Sequence, residues 1–257
     1  MYTVRCGIRE LEPKAEQRHG IEYSNTEVAY WIALSNMNSG VAISGMHAAS
    51  VLKPSARTSE LTDRLTWAAN YMGRHTSVQA APGAWVAFRA EADAGPDAFA
   101  PGRRDYTFLM RIKSLESVPV ERQCGNNASG YGAWCRVLTG SESSIHLAVT
   151  ADGLFSDGSS PSPVTLRLVY LPSGARGGTL GCSLQLWYVA ASTRGAKLGL
   201  AVSAYTADRV VWKEAMSNIS DALFGGVGPR GSDFWLTLAG GDACEARVHM
   251  VEARKPG

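Results

Sequence analysis

The sequence predicts an all-β protein with one or two short helices, an antiparallel β-sandwich of jelly-roll type, spanning residues 1–257 as a single domain. Three observations predict it. Apolar residues recur at every second position in several segments: Tyr106, Phe108, Met110 and Ile112; Ile145, Leu147 and Val149; Val164, Leu166, Leu168 and Tyr170; Leu184, Leu186 and Tyr188. Strand side chains alternate between faces, so each series describes one apolar side of a sheet. The connectors carry turn chemistry, with Asp-Gly at 152 and 157, Ser-Gly at 173, and Gly-Gly at 177 and 240. The strand–helix alternation that builds a parallel sheet is absent.

Taken in order, residues 1–9 read as a strand with Tyr2, Val4 and Cys6 on one face, and 10–25 as a loop or short helix. The apolar run Glu27–Leu34 reads as a strand, with 41–45 as its candidate continuation. From Ser59 to Arg74 the period changes: Leu61, Leu65, Ala68, Ala69 and Met72 recur at helical spacing, with Ser59 as N-cap and Gly73 as stop. A second helix is predicted over Lys213–Phe224, where Met216, Ile219, Ala222 and Leu223 share a face. Strands are predicted at Ala84–Ala90, Tyr106–Lys113, Val118–Arg122, Trp134–Leu138, Ser144–Thr150, Val164–Tyr170, Leu180–Ala190, Leu198–Tyr205, Arg209–Trp212, Phe234–Leu238 and Ala246–Val251. The strand around Trp187 is apolar on both sides, so it lies between two layers or under a partner.

Charge excludes some functions. Charged residues make up 19% of the 257, against the ~25% usual for soluble domains. The 25 basic and 23 acidic residues leave a net charge of +2, with no basic arm. Affinity for phosphates comes from clustered Lys and Arg, so no strong nucleic-acid binding is expected. No signal peptide is visible at the N-terminus, and no apolar run reaches the ~20 residues that cross a bilayer.

Motifs for chemistry are sparse. The five histidines (His19, His47, His75, His146 and His249) make neither HxH nor HExxH, so no metal ligands and no cofactor are expected. The glycines of 225–231 lack the Lys-Ser/Thr of a phosphate loop, and no GxSxG elbow occurs. The five cysteines show no CxxC spacing and read as mostly reduced and packed, with a Cys124–Cys135 disulfide as an alternative. Most of the seven tryptophans fall in apolar strands and read as core.

Three segments offer an enzyme reading. Arg57-Thr58-Ser59-Glu60-Leu61, Ser144-Ile145-His146, and Lys197-Leu198-Gly199 followed by Tyr205 resemble, in order, the strand motifs of jelly-roll alginate lyases. The first has one residue inserted, the second lacks its Gln and the third is stretched. The resemblance implies Arg57, His146 and Tyr205 around a sugar uronate.

With no catalytic residues otherwise assigned, the first expectation is a structural protein: a capsid or capsid-associated subunit of a virion, made in a host cytoplasm. It would work by self-assembly as a homo-oligomer, packing against copies of itself and other particle proteins, with 91–104 and 156–163 as contact loops. The alternative is a polysaccharide lyase or carbohydrate-binding protein.

Overall fold

The computed structural model describes residues 33, 34, 37, 66–68, 70, 71, 80–88, 105–118, 120, 121, 135–151, 153–155, 160–173, 181–207 and 210–256. Twelve strands follow in order among them: β1 (Gly83–Ala87), β2 (Tyr106–Phe108), β3 (Met110–Glu116), β4 (Val120–Glu121), β5 (Cys135–Thr139), β6 (Ser144–Val149), β7 (Ser162–Pro172), β8 (Ser183–Ala190), β9 (Gly195–Ser203), β10 (Lys213–Ala222), β11 (Phe234–Ala239) and β12 (Glu245–Arg254). The strand pairs are antiparallel. The fold is the β-sandwich expected.

Two layers can be traced. The first runs β2-β1-β12-β7-β10, with β5 and then β4 added along the first half of β12. The second runs β3-β6-β11-β8-β9. They are linked through the pair Ala222–Ala190 and through a parallel bridge between Ser173 and Tyr205. Val86, Val251 and Leu168 form a fully buried row of the first layer; Ile145, Leu236 and Leu186 form one of the second. Both rows belong to one hydrophobic cluster. The layers meet closely at Gly199, which sits at a bulge in β9: a methyl placed there would lie 2.9 Å from Leu166 Cδ1 of β7. Glycine allows this approach without displacing the Leu166 side chain.

The outer face of the first layer carries helical residues. Ala33, Leu34, Met37, Ala68 and Tyr71 are buried in the same cluster as Trp85 and Phe108, whose rings stack 6.1 Å apart. Beneath them a polar row crosses the sheet, Trp85–Glu252–Arg167–Met216. Glu252 is fully buried. Its carboxylate accepts from Tyr71 Oη at 2.5 Å, from Trp67 Nε1 at 3.0 Å on both oxygens, and from Arg167 Nη1 at 3.1 Å. Arg167 also pairs with Glu214 at 2.9 Å and lies 5.5 Å from the Trp67 ring centre. A buried carboxylate persists only when it is neutralised and its lone pairs are filled, and here both conditions hold. Burial, with Glu252 beside it, pushes the Tyr71 hydroxyl well above its ordinary pKa.

Several expectations are corrected. Lys213–Ala222 is a strand, not a helix: its exposure alternates residue by residue, and Met216, assigned to the buried helical face, is 64% exposed. Pairing along β7 overrides the three- and four-residue spacing. Ala33 and Leu34, read as strand, are helical; together with Met37 they are buried at positions one turn apart. Val210–Trp212 are irregular, and the strand starts only at Lys213. The series Tyr106–Ile112 is not one strand, because Leu109 takes a left-handed φ of 52° and sends β2 to the first layer and β3 to the second. Cys182 and Cys244, read as reduced, form a disulfide with Cα atoms 5.5 Å apart, and Cys135 is disulfide-bonded as well. The helical residues 66–68 and 70–71 lie within the helix predicted over 59–74; its ends, the N-terminal strand and the loop 91–104 fall outside the described residues.

Candidate functional site

The outer face of the second layer is built by the strand period. Residues that alternate with the core row point outward, and the registers place them side by side. One row is Glu116–Ser144–Thr237–Gln185–Ala201; the next is Ser114–His146–Trp235–Trp187–Leu198. A hydrogen-bonding row thus runs beside an aromatic one. The first four residues of the polar row, and Trp187, are half-buried, Leu198 is 41% exposed, and Trp235 and His146 are nearly closed off. Trp187 donates its indole N–H to Thr237 Oγ1 at 3.0 Å, which fixes the plane of the ring. Val189, Leu223 and Trp235 pack with it into a small cluster separate from the inter-layer core.

The segment Gly225–Asp233 covers one end of this face. It turns through positive φ at Gly225, Gly226, Arg230 and Gly231. A methyl on Gly228 would fall 3.1 Å from Trp235 Cζ3, so the backbone lies against that ring. Asp233 holds the segment down: its carboxylate accepts from Gly226 N at 2.7 Å and Val149 N at 2.8 Å. Burial raises the Asp233 pKa, while these backbone donors pull it down. Arg230, at the tip of the Pro229–Gly231 3-10 turn, forms an ion pair with Glu116.

His146 sits where the segment meets the sheet. Its Nε2 lies 3.1 Å from Ser144 Oγ and its Nδ1 3.5 Å from Ser232 Oγ. Ser232 Oγ in turn donates to the Pro229 carbonyl at 2.6 Å. An activated serine needs a base that a third group orients, usually a carboxylate. Here that place is taken by a hydroxyl, and the nearby Glu116 is engaged by Arg230. The arrangement offers fixed hydrogen-bonding groups beside an aromatic surface.

Of the residues singled out for lyase chemistry, Arg57 lies outside the described residues. His146 belongs to the aromatic row. Tyr205 lies past the end of β9, in a parallel bridge with Ser173. Between the two are three strand spacings, about 14 Å, and seven residues along the chain from Leu198, about 20 Å. They are not brought together. The sequence pointed to Trp187 through its place opposite Leu184, Leu186 and Tyr188. It missed Trp235, Thr237 and Glu116, because their being neighbours depends on register across four strands. Among the described residues no group of three or more His, Cys, Asp or Glu is placed to hold a metal ion. No helix among them is long and apolar enough to cross a membrane.

Burial lowers the His146 pKa; Glu116 works against this and Arg230 with it. A group whose folded pKa is depressed contributes stability above its unfolded pKa, and that contribution is lost as pH falls through the folded value. The urea midpoint is therefore expected to fall from about pH 7 to about pH 5, with a smaller fall in His146→Gln. Parallel profiles for the two proteins would assign the dependence to other groups.

No protein-family model and no curated protein matches the chain. Among solved structures, it is similar to a carbohydrate-binding module of family 29, at 9% identity and a TM-score of 0.36. That match covers 67% of this chain and 90% of the other. It is also similar to the CBM22-1–GH10 modules of xylanase 10B from Clostridium thermocellum, complexed with xylohexaose, at 12% identity and a TM-score of 0.33. There the match covers 55% of this chain and 25% of the other. Fold and site together define the class of the molecule: an antiparallel β-sandwich with an aromatic outer face.

Proposed function

We propose that this protein binds carbohydrate on the outer face of β3-β6-β11-β8-β9. The observation that carries the reading is the pairing of two rows in register: Trp187 and Trp235 in one, Glu116, Ser144, Thr237 and Gln185 in the other. A sugar presents an apolar face of C–H groups and a rim of hydroxyls. An indole with a fixed plane suits the first, and a line of half-buried donors and acceptors suits the second. The disulfides fit an oxidising surrounding, where extracellular glycans are met.

The particle-subunit reading rested on sheet faces left bare. The outer face of the first layer carries helical residues, and that of the second carries the chain's own Gly225–Asp233 segment. The large apolar side chains exposed among the described residues are Leu198, Val210, Met216 and Val227.

Affinity electrophoresis through gels containing soluble polysaccharides tests the proposal. Retarded migration is expected with at least one glycan, and Trp187→Ala should weaken it about 30-fold, the ~2 kcal/mol of an aromatic contact residue. Trp187→Phe, which keeps a ring, separates loss of stacking from loss of fold. Unretarded migration of the native protein through a broad glycan panel overturns the reading. Light scattering on native material that shows large particles would instead revive the structural role.

A further inference from the structure

We infer that the glycan taken by this face is an acidic one, a polymer bearing carboxylate or sulfate groups. The inference rests on the carbohydrate reading above and narrows it. Its basis is the charge at the β3 edge. Arg111 pairs with Ala148 across β6, so it points to the same side as Ser114, His146 and Glu116, and it is exposed. Lys113 occupies the bulge between Ile112 and Ser114 and is also exposed. A methyl on Gly231 would lie 3.5 Å from its Nζ, which puts the ammonium beside the covering segment. Arg230 stands on that same segment.

Three cations therefore gather where the aromatic and polar rows end. The anions near them are already committed. Glu116 is paired with Arg230. Asp233 is fully buried beneath the segment and accepts from two backbone N–H groups. The Arg111 and Lys113 side chains are exposed at the surface. The whole chain carries only +2, so this is a local concentration of charge and not a general one. A neutral sugar would gain little from two solvated cations at the end of its platform. An anionic group on a sugar stacked at Trp187 would be drawn to them, and salt would screen the attraction.

The test compares polygalacturonate with its carboxyl-reduced, neutral counterpart, in the same gels at about 50 mM and about 500 mM salt. The acidic polymer is expected to retard the protein more strongly, and high salt should diminish the difference. Arg111→Ala combined with Lys113→Ala should lower the acidic-to-neutral preference about tenfold, about threefold for each exposed contact. Equal retardation by the two polymers overturns the inference while leaving carbohydrate binding intact. No retardation by either, or by any other glycan, overturns both. Retardation by polygalacturonate that survives Trp187→Ala also overturns it, because charge alone would then be holding the polymer.

Discussion

Glu252→Ala should cost about 3–5 kcal/mol of folding stability, read as a lower urea midpoint at unchanged slope. The magnitude follows from what the substitution strands. The carboxylate holds Tyr71, Trp67 and Arg167 at 2.5–3.1 Å, and Glu252 itself is fully buried. Removing it takes the buried counter-charge from the Arg167 guanidinium, which then faces Glu214, a side chain 42% exposed. It also takes the acceptor from an indole N–H and a phenol. Each stranded donor keeps its desolvation cost. Glu252→Gln should fall between, since its amide oxygen can still accept but its NH2 opposes other donors. Replacing the pair together, Glu252→Leu with Arg167→Met, should cost less than Glu252→Ala alone, because no buried charge is then left behind and Glu214 is partly exposed to solvent. A loss below about 1 kcal/mol in Glu252→Ala would show that the helical residues are held by their rings alone.

Removing the Cys182–Cys244 disulfide should have the other large effect. The bridge spans 62 residues and joins the start of β8 to the start of β12, one strand from each layer. Closing a loop of that length restricts the unfolded chain by about 4 kcal/mol. Cys182→Ala with Cys244→Ala should show that loss in urea unfolding, and reductant should lower the native midpoint more than the variant's, which keeps the Cys135 disulfide. The cysteine side chains are both nearly fully buried, so alanine leaves small gaps and the entropic part dominates. If the variant unfolds within about 1 kcal/mol of the native protein, the unfolded chain must be restrained in some other way.

The fold was legible because alternation is a local signal. Val164, Leu166 and Leu168 face the core in β7 as their spacing requires, and Leu184, Leu186 and Tyr188 do so in β8. Lys213–Ala222 misled because two of its inward positions, Ala215 and Ser217, are small, so Met216 and Ile219, three residues apart, suggested a helical face. The Ala33–Leu34 stretch misled for the opposite reason: a short apolar run carries no period of its own. The site was half legible. Trp187 stood out against its own strand, and His146 was named, though for another chemistry. Glu116, Ser144, Thr237 and Gln185 come from four strands, and nothing in any one of them marks the others.

The sequence by itself determined which side of each strand is apolar, the antiparallel sandwich that follows, and the absence of a charge pattern suited to gripping nucleic acid. Those properties depend on residue type and on spacing within a segment. The tertiary structure alone decided the disulfide partners, the helical residues locked onto Glu252, and the two rows that make the outer face. Each of these brings together residues far apart in the chain, and the register that does so is set by how whole strands pack.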